Sequence, residues 1–399
     1  MIFMDKNTSA IVIPARIGSK RLPNKLLIDI AGKPLISWVI EAALKVDFKA
    51  EVIVATDDNR IKKVSEDLGI KSFLTSSGIK NGTERILAIL DHIDSDFIIN
   101  LQGDEPLVNP IDLNNLHKAI KSSDVDVASI CHEVDNLEAE EPSNVKVVFD
   151  NNQNALYFSR SKIPYGAKTF YSHKGIYAFK REALQRIKYF KSSTLGNLED
   201  LEQLHWLENN MSIKMLITKN KSIGVDTKDD LFKAENTLLA NNIKALICDI
   251  DGTLTNGLVW YGDEGEKLKS FNVKDGSAIK KLLSKGFKVG FLSGRDSIPL
   301  RIRAKELGVE FVNFNQADKK KGCLDLISEM KLKAINIAYI GDDETDLPCC
   351  FLLPFSFSVN DSHEELKNVA RFNLKRKGGE GVITEFIEKL NFLSTNQSI

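Results

Sequence analysis

Ala10-Ile-Val-Ile-Pro-Ala-Arg-Ile-Gly-Ser-Lys-Arg-Leu-Pro-Asn-Lys-Leu26 is the stretch around which the first two thirds of the chain are organised. Four consecutive apolar residues, Ala10 to Ile13, bounded by Pro14, read as a short strand buried on both faces of a parallel sheet. The chain then turns polar. Arg16, Lys20, Arg21 and Lys25 follow with Gly18 and Ser19 among them, and an apolar-periodic run to Leu44 reads as a helix. A cationic loop at the carboxyl end of a first strand is where open α/β sheets bind phosphorylated ligands. On charge alone it would equally be a solvated basic loop.

Outward from that loop, strand-like and helix-like runs alternate, with Glu51-Val-Ile-Val-Ala55 and Phe97-Ile-Ile-Asn-Leu101 as clear strands of βαβ units. From about Val125 to Phe179 the runs are shorter, which predicts antiparallel or mixed strands in a substrate-covering subdomain. A second βα series begins at Ile243-Lys-Ala-Leu-Ile-Cys-Asp249, after a polar helical stretch at Thr227 to Asn241. The predicted class is α/β with two domains, residues 1–241 and 242–399, joined without a Pro/Gly/Ser linker.

Phe97-Ile-Ile-Asn-Leu-Gln-Gly-Asp-Glu-Pro106 ends a strand in a turn with two carboxylates. Such acids beside a cationic loop suit Mg²⁺, although an Asp in a strand-end turn is most often only a turn former. Asp104 is a candidate for either role. Asp226, in Gly224-Val-Asp-Thr227, is a second acid that could instead cap the following helix.

The order Pro-Ala-Arg-x-x-Ser-x-Arg-Leu-Pro-x-Lys resembles the signature of the cytidylyltransferases that activate 3-deoxy-ulosonic acids, above all the 3-deoxy-manno-octulosonate (KDO) enzymes. Sialic acid cytidylyltransferases share Pro-Ala-Arg and Gly-Ser-Lys, but Arg21-Leu-Pro23 and Lys25-Leu26 favour the KDO side. Asn81-Gly-Thr-Glu-Arg85, Asn144-Val-Lys-Val-Val148, Ala155-Leu-Tyr-Phe-Ser-Arg160, Ile163-Pro-Tyr165, His173-Lys-Gly-Ile-Tyr177 and Leu201-Glu-Gln-Leu204 follow in order, so the resemblance spans roughly residues 10 to 235. It implies a nucleotide-diphospho-sugar transferase-like domain. Arg16, Arg21 and Lys25 would then meet the CTP triphosphate, Arg16 and Lys25 in catalytic roles, while Asp104 and Asp226 hold Mg²⁺. Gln102, Arg160, His173, Tyr177, Glu202 and Gln203 would line the substrate pocket, with the Arg160 fork suited to a ulosonate carboxylate. Seven residues separate Tyr165 from His173, fewer than the KDO enzymes usually carry, which bears on the choice of sugar.

Ala245-Leu-Ile-Cys-Asp-Ile-Asp-Gly-Thr-Leu-Thr255 resembles the first motif of the haloacid-dehalogenase (HAD) phosphatases. The resemblance makes Asp249 the nucleophile and Asp251 the general acid/base, both on one face if the strand stays extended. Further HAD motifs follow. Phe291-Leu-Ser-Gly-Arg295 offers Ser293 and Gly294 to a phosphate, Ala317-Asp-Lys-Lys-Lys-Gly322 offers Lys319 with Lys320 and Lys321 left open, and Ala338-Tyr-Ile-Gly-Asp-Asp-Glu-Thr-Asp346 offers Asp342. Mg²⁺ would sit among Asp249, Asp251 and Asp342.

Asn256-Gly, Gly265-Glu-Lys-Leu-Lys-Ser-Phe271, Val273-Lys-Asp-Gly276 and Gly378-Gly-Glu-Gly381 are similar to the KDO 8-phosphate phosphatase family. That family has a minimal cap, for which residues 256–272 leave room as a β-hairpin, and forms tetramers. Its glycine-rich C-terminal stretch closes over a neighbouring subunit's site.

The expectation is a bifunctional enzyme that frees a 3-deoxy-ulosonic acid from its sugar phosphate and couples it to CTP. The alternative is a cytidylyltransferase for a sialic-type or amino-substituted sugar with the HAD domain a non-catalytic oligomerisation module.

The 54 Lys and Arg against 55 Asp and Glu, a net charge of −1, argue against a nucleic-acid-binding face. The cysteines Cys131, Cys248, Cys323, Cys349 and Cys350 show no CxxC pair and read as reduced core thiols. Met1-Ile-Phe-Met-Asp-Lys6 lacks the pattern of a secretory leader, and no apolar run approaches the ~20 residues of a membrane span. The expected location is the cytoplasm, as a homo-oligomer without nucleic-acid or membrane partners.

Overall fold

The computed structural model describes residues 8–394 except 20, 80, 192 and 264. The readings placed on Lys20 and on the first residues as a non-leader lie outside that set. The chain divides into two compact units, Met1–Ala234 and Glu235–Ile399. The division falls within the helix Lys228–Asn242.

The first unit is built on a nine-stranded sheet. The quoted strand, Ser9–Ala15, is buried throughout and lies between Ala50–Thr56 and Phe97–Asn100, parallel to both. Burial on both faces is what an unbroken apolar run dictates. Lys71–Leu74 extends this parallel part, also in parallel.

The strands predicted to form a covering subdomain behave otherwise. Val127–Val134 and Phe170–Lys180 join the main sheet, the latter antiparallel to Phe97–Asn100 on one side and to Val127–Val134 on the other. Phe170–Lys180 is eleven residues long, and a register shift between Lys174 and Tyr177 bends it. Among the described residues only the hairpin Lys146–Phe149 with Ala155–Ser159 branches from it. A buried core of Val12, Ile53, Ile98, Tyr177, Phe179 and Trp206, among others, packs against these strands.

The second unit has a six-stranded, all-parallel sheet in the order Phe311–Asn313, Lys288–Leu292, Ala245–Asp249, Ile337–Gly341, Phe355–Ser358, Phe372–Asn373. Asp249 ends the central strand, and Ser293 and Asp342 directly follow the strands on either side of it. Three motifs far apart in sequence thus meet at the carboxyl edge, where parallel sheets place ligands. The hairpin expected between residues 256 and 272 is present as Trp260–Gly262 paired with Gly265–Leu268. Arg371 fastens the second half of the helix Lys228–Asn242 to this unit, donating to Asn236 Oδ1 at 2.6 Å and to Glu235 Oε2 at 2.5 Å. Among the described residues no helix is long and apolar enough to cross a membrane.

Two candidate active sites

In the first unit a cavity of about 730 Å³ opens at the carboxyl ends of Ser9–Ala15 and Phe97–Asn100. Arg16, Arg21, Lys25, Asn81, Arg85, Gln102, Asp104, Glu202 and Asp226 line it with Gly18 and Ser19. The basic loop is tethered where it leaves the strand. The Ile17 amide donates to Asp57 Oδ1 at 2.9 Å, and the buried Arg85 holds the other Asp57 oxygen at 3.3 Å.

Lys25 opens a single 3₁₀ turn, Lys25–Leu27, whose Leu26 is buried, so its stem is fixed by packing. Its ammonium donates to Asp104 Oδ2 at 2.5 Å, Asp226 Oδ1 at 2.9 Å and the Val225 carbonyl at 2.9 Å. Burial alone would lower the Lys25 pKa, but the charges of Asp104 and Asp226 outweigh it and leave it raised. Arg21 reaches the other Asp226 oxygen at 2.7 Å. Two carboxylates from distant segments therefore converge on one cationic point, a donor set that also fits a hard divalent cation. Asp226 is free for this because Thr227 caps the helix: Thr227 Oγ1 accepts from the Asp230 amide and Asp230 Oδ2 from the Thr227 amide. The Val225 amide bonds the Asp104 carbonyl at 2.9 Å, fixing the spacing of the two acids.

The residues expected around the sugar separate into two groups. Gln102 and Glu202 line the cavity, and Glu202, its Oε2 without a partner among the described residues, also faces an adjoining cavity of about 420 Å³. Burial pushes the Glu202 carboxyl up to about 7. Arg160, His173, Tyr177 and Gln203 do not line the main cavity. The Tyr177 hydroxyl donates to Gln203 Oε1 at 3.3 Å, and His173 Nε2 is 2.8 Å from Ser129 Oγ, with burial holding the imidazole down to about 3. The Arg160 fork is directed at the carbonyls of Glu199, Asp200 and Pro142, at 2.8, 3.2 and 3.3 Å.

In the second unit Lys319 opens the helix Lys319–Met330 and turns inward, while Lys320 and Lys321 are exposed. Its ammonium donates to Asp249 Oδ1 at 2.7 Å and Asp346 Oδ1 at 2.6 Å. Asp249, Asp342 and Asp346 offer carboxylate oxygens within 4.8 Å of one another. Burial, reinforced by the Asp346 charge, holds the Asp249 pKa well above the carboxylate range, and burial pushes Asp342 up to about 6. Such crowding of buried acids favours a bound cation.

Asp346 was not singled out from sequence, although it ends the quoted acidic motif. Its two oxygens are already taken, one by Lys319 and the Tyr339 hydroxyl, the other by the amides of Asp342 and Asp343. Asp249 and Asp342 are left with coordinating capacity. Gly252 lies at φ +91°, and a Cβ there would sit 1.9 Å from Asp342 Oδ2, so the turn and the close approach both require glycine.

One expectation is corrected here. The strand stops at Asp249, and residues 250–255 form a turn closed by Thr253 and Thr255 amides on the Ile250 carbonyl. Asp251 therefore does not share an extended face with Asp249: its Oδ1 accepts from Lys269, on the far end of the hairpin, and it stands outside the three-carboxylate group. The glycine-rich stretch lies over its own chain's turn, with the Gly379 amide donating to the Thr253 carbonyl at 2.9 Å. A Cβ on Gly378 would come within 1.8 Å of the Gly252 carbonyl oxygen, so only glycine lets the two backbones approach. Ser293 is buried beside Asp249, its Oγ accepting from the Arg295 amide at 3.0 Å, and Gly294 is exposed next to it.

Residues 10–213 match the family model described as cytidylyltransferase. The chain is 42% identical over 224 residues to the 3-deoxy-manno-octulosonate cytidylyltransferase of Escherichia coli, spanning 55% of this chain and 91% of that one. It is similar to the solved structure of CMP:2-keto-3-deoxy-manno-octonic acid synthetase complexed with CTP, at 41% identity and a TM-score of 0.56, covering 57% of this chain and 97% of that one. A further similarity is to the cobalt-bound deoxy-D-mannose-octulosonate 8-phosphate phosphatase of Haemophilus influenzae, at 38% identity and a TM-score of 0.38, covering 39% of this chain and 91% of that one.

Proposed function

The chain belongs to the cytidylyltransferase family, and on that premise we propose that residues 1–241 couple a 3-deoxy-ulosonic acid, KDO, to CTP with release of pyrophosphate. The observation that carries this is the convergence of Asp104 and Asp226 on the Lys25 ammonium at the mouth of a cationic cavity. Arg16, Arg21 and Lys25 bind the triphosphate and then the departing pyrophosphate, offsetting charge where it develops. The anomeric hydroxyl of the sugar attacks the α-phosphorus, the bond to the β-phosphate oxygen breaks, and no covalent enzyme intermediate is needed. Glu202 is the proposed acceptor for sugar hydroxyls. For Arg160 to reach the sugar carboxylate it must release three carbonyls, so its role there depends on a rearrangement of the 199–200 loop.

The reading of residues 242–399 rests on their own side chains. We assign Asp249 as nucleophile toward a sugar phosphate, with Lys319 and Ser293 holding the phosphate oxygens. Asp251 protonates the leaving alkoxide and then takes a proton from the water that hydrolyses the aspartyl-phosphate. Mg²⁺ held by Asp104 and Asp226 in the first unit, and by Asp249 and Asp342 in the second, would supply charge neutralisation at phosphorus. Asp249, Asp342 and Asp346 gathered with Lys319 at low exposure are costly to maintain in a purely structural module, which favours activity over the oligomerisation-only alternative.

Trp260, Tyr261 and Leu268 leave the hairpin with an exposed apolar surface, which supports assembly as a homo-oligomer, a tetramer through this unit. We place both steps in the cytoplasm, where CTP is available.

The test is turnover of the full chain with CTP and Mg²⁺ across free KDO, its 8-amino analogue, a sialic acid and their phosphate esters. KDO and KDO 8-phosphate are expected to be the best substrates of the two units. Preference for a sialic acid, or no phosphate release from any ester, would overturn the corresponding half of the reading.

A further inference from the structure

Lys269 immediately follows the hairpin strand Gly265–Leu268, and its side chain is wholly enclosed, at 0% exposure. It donates to Asp251 Oδ1 and stands 3.4 Å from Glu266 Oε1 on the same hairpin. An ammonium taken out of water is costly to retain unless opposite charges surround it. Here one opposing charge belongs to the hairpin itself, and the other is the acid that stands in the turn beyond Asp249.

We propose that Lys269 is a positioning residue for the phosphatase reaction: through Asp251 it sets where the proton for the leaving group is held. This rests on the reading of Asp251 as general acid/base. The ammonium occupies Oδ1, fixes the direction of the carboxylate and leaves Oδ2 as the oxygen through which the proton is exchanged. In the first half-reaction the bond from Asp249 to phosphorus forms, the bond from phosphorus to the sugar oxygen breaks, and the Oδ2 proton passes to that oxygen. In the second, water attacks phosphorus, the aspartyl-phosphate bond breaks, and the water proton returns to Oδ2. Lys269 gains and loses nothing in either step. Glu266 keeps the ammonium on the hairpin side, so the hairpin and the acid are held as one unit. The hairpin then contributes to the chemistry as well as to covering the site.

A role through the acid predicts a dependence on the leaving group that a tether alone does not. An alkoxide needs the proton, whereas p-nitrophenolate departs without it. In the full chain with Mg²⁺, Lys269→Met is expected to lower kcat/KM for KDO 8-phosphate by about 100-fold, within the range for general acid catalysis, and for p-nitrophenyl phosphate by no more than about 3-fold. Lys269→Arg is expected to restore most of the loss on the sugar ester. The aryl ester doubles as a check that the site is folded. Equal losses on both esters, or an unchanged value on the sugar ester, would overturn the inference. Failure of wild type to release phosphate from either ester would overturn the phosphatase reading itself, and is seen before any substitution is made.

Discussion

At Asp104 a change of one atom tests the first site, because asparagine keeps the shape but removes one of the two charges that converge on Lys25. Asp104→Asn is expected to lower CMP-sugar formation at saturating Mg²⁺ by at least about 100-fold, a loss on the scale of removing one preorganised electrostatic group. Phosphate release should be unaffected, and near-normal transfer would remove Asp104 from the site. Glu202 gives a second test through stability. Burial raises its carboxyl from an ordinary 4.5 to about 7, so the folded chain binds the proton more tightly than the unfolded one. That contribution is complete below about 4.5 and is lost as pH rises through about 7, up to roughly 3 kcal/mol. Glu202→Gln has no proton to lose, so its melting midpoint should gain on that of wild type between pH 5 and 8. A difference that stays flat with pH would show that Glu202 ionises freely. Asp104 and Lys25 were legible in sequence because short motifs fix their spacing to a strand end, and Asp226 through the resemblance alone. The engagement of Arg160 was not, since its carbonyl partners lie 18 to 40 residues away and no side-chain pattern marks them. Lys319 was preferred to its neighbours from the motif alone, and the helix start turns that lysine inward and the other two outward.

Elements set the second site more than single residues do. The turn after Asp249 is pressed between the acidic loop, through Asp342, and the Gly378-Gly379 segment. Gly378→Ala places a methyl group in the Gly252 carbonyl, and rigid backbone on the other side must move. The expected cost is about 1–3 kcal/mol of stability in the second unit, with phosphate release down at least about 10-fold as the turn carrying Asp251 shifts. Calorimetry alongside phosphate release checks both effects. A variant that melts and turns over like wild type would show that the segment only rests on the turn. Here the sequence was informative about the strands and the cap hairpin, whose apolar runs and turn residues are local. It was right that Val127–Val134 and Phe170–Lys180 pair antiparallel but misled on their place, because short mixed-polarity strands look alike whether they join a sheet or form a separate layer. It also misplaced Asp251, since a period of two holds only while the strand continues, and this one ends at Asp249.

In the whole molecule the two proposed chemistries are separable and consecutive, with Asp249 needed only for the first step and Asp104 only for the second. The composition was silent on this, being that of an ordinary globular chain, and the proposal came from the two motif series. The most direct measurement is a ³¹P NMR time course of the full chain with KDO 8-phosphate, CTP and Mg²⁺. Wild type should convert the monoester signal to inorganic phosphate and then build the CMP-KDO diester and pyrophosphate signals in equal amounts. Asp249→Asn should leave the monoester intact with these substrates, yet form the diester once free KDO is added. Persistence of the monoester in wild type while added KDO is still coupled to CTP would contradict the two-step account and leave a transferase carrying a non-catalytic second unit.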